Sequence, residues 1–368
     1  MNCRERVQCA LNFSKPDRIP YTGFTLGSDI LPLVPLTPKS WQPTENYFPY
    51  VHKIQLTLGV WRSKRPLPRG WYKMRHKAID EWGVIWERTG SITSSGQVIK
   101  GSIETWDDLE TFTPPDPHDP ARYSLMTKIA KLIGRKRYRL PSLENCLWER
   151  YHFLRGWENS MMDMARPSPN VERLLDMLVE YFEGVAQEWI DRDIADGIIA
   201  VDDLGGQTEP LMSPRAFDRL FKPRYAKIAK LCHDNGKHFF MHSCGDLKVL
   251  APSLVDAGLD CFQFDGPDQT GIEWCSEHLG EKVTFMDVVD IQNVLPASKG
   301  THEDIIKYVK KLIYYLGRFD GGLIGCEYGN PKILNMQPRA YKVMRRAYKE
   351  YGQYPLDMER LDPAKNEK

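Results

Sequence analysis

Short apolar, β-rich runs recur along this chain, and amphipathic helical patterns lie between most of them. That alternation constrains the fold more than any other feature. Parallel strands need a long crossover, and the crossover is usually a helix. The candidate strands are residues 19–24, 83–87, 138–143, 197–202, 238–242, 260–264, 283–287 and 321–325. The clearest helical patterns cover 171–194, 213–235, 248–257, 302–316 and 338–351. Asn170 stands where it can cap the first of these. Ser213-Pro214 places Pro at a first helical position, and Asn235-Gly236 supplies a left-handed stop. Eight strands with interleaved helices predict a (β/α)8 TIM barrel with an N-terminal extension. An open doubly wound sheet is the alternative. No GxGxxG turn follows a strand, which counts against it. Residues 60–118 read as an excursion within one domain spanning 1–368, because no second core pattern begins there. Within the excursion, polar and small residues alternate over 91–101 around Ser95-Gly96, the pattern of a β-hairpin.

Composition narrows the function classes. Of 368 residues 42% are apolar, ample for a large core. A formal charge of +1 and the lack of a long basic run argue against nucleic acid as a partner. The cluster Arg62, Lys64, Arg65, Arg69 reads as a solvated loop, or as a contact for an acidic partner. The first twenty residues are charged throughout, without the apolar segment of a signal peptide. No stretch approaches the roughly 20 apolar residues of a membrane span. The expectation is a cytoplasmic protein with no membrane partner. Its eight cysteines contain no CxxC pair, so they read as buried thiols or metal ligands.

Three of those ligand types fall at candidate strand ends. His242 and Cys244 close the run HFFMHSCG, and residues two apart on a strand share a face. Cys326 ends another apolar run. In a barrel the C-terminal strand ends form one rim, so the three can converge on one ion. Asp265, after CFQF, is a conditional fourth ligand, and Gln263 shares its face. Imidazole, two thiolates and an oxygen or open position suit Zn²⁺ in a catalytic site. A lone Cys at a strand end is more often a small buried hydrophobe, and it is the combination that points to a metal. Asp202 and Asp203 follow the run 197–201. Paired acids there are costly unless solvated, paired or functional, so one can orient a group or move a proton. The plainer reading is that one caps a helix and the other is exposed. Asn145, Glu149, Gln207 and Gln263 are polar candidates for holding substrate on the same rim.

At these residues the chain resembles the uroporphyrinogen decarboxylase-like superfamily. RERVQCALNFSKPDRIPYTGF looks like the family's start, and DDLGGQTEPLMSPRAFDRLFKPRYAKIAKLCHDNGKHFFMHSCGDL is the most specific stretch. The family fold is a (β/α)8 barrel. The chain is similar to its zinc-dependent corrinoid methyltransferase branch, in which His-x-Cys and a distant Cys hold zinc; here these are His242, Cys244 and Cys326. Asp265 falls where a Glu ligand stands in the similar site of cobalamin-independent methionine synthase. The Arg-rich tetrapyrrole segment of the true decarboxylases is missing after Asp17-Arg18-Ile19-Pro20. The resemblance implies methyl transfer from a methoxylated aromatic compound to the cob(I)amide of a separate corrinoid protein. LENCLWERYHFLRGWENSMMDMA and the DDLG run look like the methoxyaromatic demethylases of this branch. Transfer from a methyl-corrinoid to a thiol of the coenzyme M type is the alternative. A non-catalytic barrel that binds a tetrapyrrole or small molecule is the third. No DxHxxG pattern marks a resident corrinoid, so a partner protein would supply it; a homodimer is left open.

Overall fold

The structure, a computed structural model, describes residues 1–23, 27–90 and 96–366. Eight parallel strands form one sheet that curls nearly into a ring. They are β1 (Tyr21–Thr22), β2 (Ile30–Leu33), β3 (Tyr138–Leu143), β4 (Gly197–Val201), β5 (His238–His242), β6 (Cys261–Phe264), β7 (Thr284–Val288) and β8 (Leu323–Cys326). Their order is β1-β8-β7-β6-β5-β4-β3-β2. The two ends of that order meet at a seam, where the Asp29 N–H donates to the Tyr21 carbonyl at 2.8 Å. Helices cover the outside, among them Pro169–Asp191, Lys222–Asp234 and His302–Leu316. The expected (β/α)8 barrel is the observed fold.

Two-residue alternation along the strands divides the core. Phe240, Cys261, Met286 and Ile324 pack with Tyr138 and Leu140 inside the barrel. Their neighbours Phe239, Phe262, Phe285 and Leu323 pack outward beneath the helices. The N-terminal helix Cys3–Leu11 adds Val7, Ala10 and Leu11 to the inner cluster. It is tied on by Gly322 N–H to the Ala10 carbonyl at 2.9 Å. Continuing the inner alternation by two residues reaches His242, Gln263 and Cys326, all at the C-terminal ends of their strands.

The fold differs from the sequence expectations at three places. Residues 83–87 do not join the barrel. Ile85–Arg88 lies in a separate four-stranded sheet with Phe48–Pro49, His76–Ile79 and Gln97–Lys100, inserted between β2 and β3. The missing barrel strand is β2, whose Ile-Leu-Pro-Leu sequence carries a Pro that normally argues against a ladder position. It is tolerated because β2 ladders with only β3, on one side. The first long helix starts at Pro169 with Ser168 before it, not after Asn170, because Pro suits a first helical position. The pattern 213–235 divides at Phe221 into Pro214–Leu220 and Lys222–Asp234, since Pro223 cannot continue a hydrogen-bonded helix. As for the expected hairpin, Ile85–Arg88 pairs antiparallel with Gln97–Lys100, and the intervening 91–95 lie outside the described residues.

Candidate metal centre at the barrel mouth

His242 ends β5 on the inner face. Its Nδ1 hydrogen-bonds to Gln263 Oε1, and Gln263 Nε2 donates to Asp265 Oδ1 at 3.0 Å. Gln263 is the register partner of His242 on β6, so the sheet itself sets this contact. With Nδ1 occupied, Nε2 is the atom turned toward the mouth. It lies 3.3 Å from Asp203 Oδ1 and 3.7 Å from Cys244 Sγ.

Cys244 lies past the end of β5, where alternation no longer fixes direction. Two interlocked loops place it instead. The Cys244 N–H donates to Asp203 Oδ1 at 2.8 Å, and Leu204 N–H donates to Ser243 Oγ at 3.0 Å. The Asp246 N–H donates to the Gly206 carbonyl at 2.8 Å. Gly205 and Gly245 allow this approach. A Cβ on Gly245, which sits at φ +84°, would meet the Gly205 carbonyl carbon at 2.3 Å.

Among the described residues, Asp203, His242 and Cys244 offer one ligand atom each, all within 4.8 Å of one another. Tetrahedral zinc bonds imply roughly 3.3 Å between nitrogen and oxygen ligands and roughly 3.6 Å between nitrogen and sulfur. The observed 3.3 and 3.7 Å match those edges. The residues therefore fit the implied ion. Cys326 and Asp265 are not in this tight set. Cys326 ends β8, with its thiol donating to the Glu327 carbonyl at 3.5 Å. After burial itself, Asp265 is the charge that raises the Cys326 pKa most.

The electrostatics favour positive charge at this point. Burial works against a charged His242, yet Asp203, Cys244 and Asp265 together hold its pKa well above the ordinary value. Asp203 is pushed up by burial but held lower overall by His242 and the Cys244 N–H. A bound metal would replace the imidazolium proton at Nε2.

The other expected residues divide by contact. Asp202 is wholly buried. It accepts from the Trp148 and Glu149 N–H groups at 2.8 and 2.7 Å and from the Tyr225 hydroxyl, so it caps the helix Leu147–Arg155. Burial, opposed by these donors, leaves its pKa raised to about 7. Glu149 stands in the first turn of that helix, and burial with Asp203 and Asp202 raises its pKa far above the carboxylate range. Asn145, at φ +49°, lines two cavities of about 770 and 730 Å³, and Glu149 lines the second. Gln207 is exposed and accepts from Gln269 and Gln292 at 3.2 and 3.4 Å, joining three mouth loops. Two features have no local signal in the sequence: the placement of Asp203 against His242, and the charged aromatic character of the larger cavity.

A (β/α)8 barrel that gathers imidazole, thiol and carboxylate at its C-terminal rim defines the class. The model of the uroporphyrinogen decarboxylase (URO-D) family matches residues 91–328, more than half of the chain, and the chain belongs to that family. A methylated-thiol–coenzyme M methyltransferase of Methanosarcina mazei is 25% identical over 121 residues, which are 33% of this chain and 31% of that protein. The match thus spans about a third of that relative's length. A solved methyltransferase from Methanosarcina mazei superposes with a TM-score of 0.63 at 15% identity, covering 95% of this chain and 99% of its own. That likeness is one of fold. The family resemblance carried by the sequence is borne out, and both relatives are methyltransferases. No helix among the described residues is long and apolar enough to cross a membrane.

Proposed function

We propose that this chain is a zinc-dependent methyltransferase that removes the methyl group of a methoxylated aromatic compound and passes it to the cob(I)amide of a separate corrinoid protein. The observation that carries the reading is the spacing of Asp203, His242 and Cys244, the edges of a metal tetrahedron at a barrel mouth. His242, Cys244 and Cys326 would hold zinc, with Asp203 or Asp265 completing the set and yielding to substrate. When bound, zinc supplies a Lewis acid that makes the ether oxygen a better leaving group. Gln263 holds the imidazole in the orientation that presents Nε2. Asp202 fixes the helix that carries Glu149. Glu149, with its raised pKa, would hydrogen-bond the substrate oxygen. The methyl carbon must face the open mouth, where the corrinoid partner docks; the Arg62–Arg69 segment is one contact for it.

A second reading has one specific support, the name of the curated relative: transfer from a methyl-corrinoid to a thiol. Two assays separate them. Purified protein is given cob(I)alamin with methoxyaromatics, and separately methylcobalamin with thiols. Methylcobalamin formed in the first arm supports the proposal, and turnover confined to the second overturns it. Silence in both with ligand binding retained indicates a binding protein. The zinc set has its own check: Cys326→Ser should lose zinc and activity together, and full retention of both removes Cys326 from the site.

A further inference from the structure

The cavity of about 770 Å³ lies between the inserted four-stranded sheet and the barrel. That volume falls in the range of roughly 300–1,000 Å³ typical of small-molecule sites. Tyr50, Trp71 and Trp86 from the inserted region form one wall, and Leu143, Asn145 and Tyr181 from the barrel form another. Tyr50 and Trp86 stack with centroids 4.6 Å apart. Flat apolar walls of this kind accept an aromatic ring.

The charges on these walls are not balanced. Lys53, Arg88, Arg122, Arg150 and Lys332 face three carboxylates, Asp80, Glu81 and Glu144, so the lining is net positive by two. The chain as a whole carries only +1. All three carboxylates are already committed, Glu144 accepting from the Ser142 hydroxyl at 2.5 Å. Glu81 is held by both terminal nitrogens of Arg122 at 2.8 and 2.7 Å. Asp80 accepts from the Trp82 and Val84 N–H groups, from Trp86 Nε1 and from Arg150 Nη1.

Arg150 is the group left incomplete. It is 6% exposed, lies 4.6 Å over the Trp82 ring, and among the described residues makes one long hydrogen bond, of 3.3 Å, to Asp80. Its Nε is buried with no hydrogen-bond partner among the described residues. Burying a guanidinium donor without an acceptor is costly, and the group is shaped to grip a carboxylate through two parallel bonds. We propose that Arg150 recognises an anionic substituent, a carboxylate, on the aromatic ring of the methyl donor, and so selects methoxylated aromatic acids over neutral ethers. Asn145 borders both this cavity and the adjoining one lined by Glu149. A ring anchored at Arg150 would thereby extend past Asn145 toward Glu149. The inference rests on the methoxyaromatic reading above for the identity of the donor.

The test is calorimetric titration with para-methoxybenzoate and with methoxybenzene, its neutral counterpart. Wild-type protein should bind the acid about 10- to 100-fold more tightly, the ratio expected of a charge-assisted pair. Arg150→Gln alone leaves Asp80 buried without its cation and is liable to misfold. The double variant Asp80→Asn with Arg150→Gln removes both charges and should bind both ligands equally. Equal affinities in the wild type, or a preference kept by the double variant, overturn the proposal. The outcome is separable from the functional reading. If the preference depends on Arg150 but neither acid nor ether methylates cob(I)alamin, the anchor stands and the demethylase reading falls. If both are demethylated equally well and the double variant makes no difference, the reading stands and the anchor falls.

Discussion

Asp202 and Asp203 are chain neighbours with opposite tasks. Asp202 turns inward and satisfies two N–H groups of a helix start; Asp203 turns to His242 and Cys244. The sequence suggested that one of the pair caps a helix but not which one or which helix, because the helix that Asp202 caps lies more than fifty residues earlier. By contrast, His242 was legible as a rim residue from strand alternation alone. Its support was not: Gln263 was readable as a polar rim group, while its role behind the imidazole depends on cross-strand register. This gives a residue-scale prediction. Gln263→Leu keeps the volume but removes the acceptor for Nδ1–H, so the imidazole loses the bond that turns Nε2 to the mouth. Zinc affinity should fall by about 10- to 100-fold, the usual effect of losing such an outer partner. Competition with a chromophoric chelator measures it. Unchanged affinity in a folded variant would show that the imidazole is oriented by other contacts.

At the scale of elements, the site depends on two loops that pass almost backbone to backbone. Gly245→Ala asks a β-carbon to occupy a left-handed residue and to sit 2.3 Å from Gly205. The neighbour is backbone and cannot rotate away, so the loops must part. The expected cost is at least about 2 kcal/mol of stability, from the left-handed conformation and the displaced contact together. Zinc binding should weaken as well, since Cys244 and Asp203 ride on these loops. Thermal unfolding with and without zinc reads both effects; a variant with unchanged Tm and metal content refutes the interlock. The strands carrying these loops were visible in sequence because β3 to β8 are apolar runs followed by turns. β2 was not, being four residues with a Pro, and the strand near residue 85 looked equally good by pattern. Local periodicity marks a strand but does not say which sheet receives it; pairing partners decide that. The cavity wall built from the inserted sheet was illegible for the same reason, since Asp80 and Arg150 meet only across 70 residues of chain.

For the whole molecule, acid stability should report the packing between barrel and insert. His152 sits among the rings of Trp148, Phe153 and Trp157 and borders the cavity of about 730 Å³. Burial, helped by the nearby Arg150 and opposed by Asp203, lowers its pKa to about 4. The unfolded chain would titrate this group near 6.5. Between those values the unfolded state binds the proton and the folded state does not. Stability is therefore full above about pH 6.5 and falls as pH drops toward 4. At pH 5 the loss is about 1–2 kcal/mol, after allowing for partial exposure of the ring. Asp17 acts in a lower window. Its hydrogen bonds to Arg6 hold its pKa near about 2, so its contribution lasts until the pH falls from about 4 toward that value. The two are separable by substitution. His152→Phe fills the same aromatic surroundings without a titrating group. Urea unfolding midpoints at pH 7 and pH 5 should then differ less for this variant than for the wild type. Equal losses in both would mean that His152 is already solvated in the folded state, and that acid sensitivity near pH 5 arises elsewhere in the barrel.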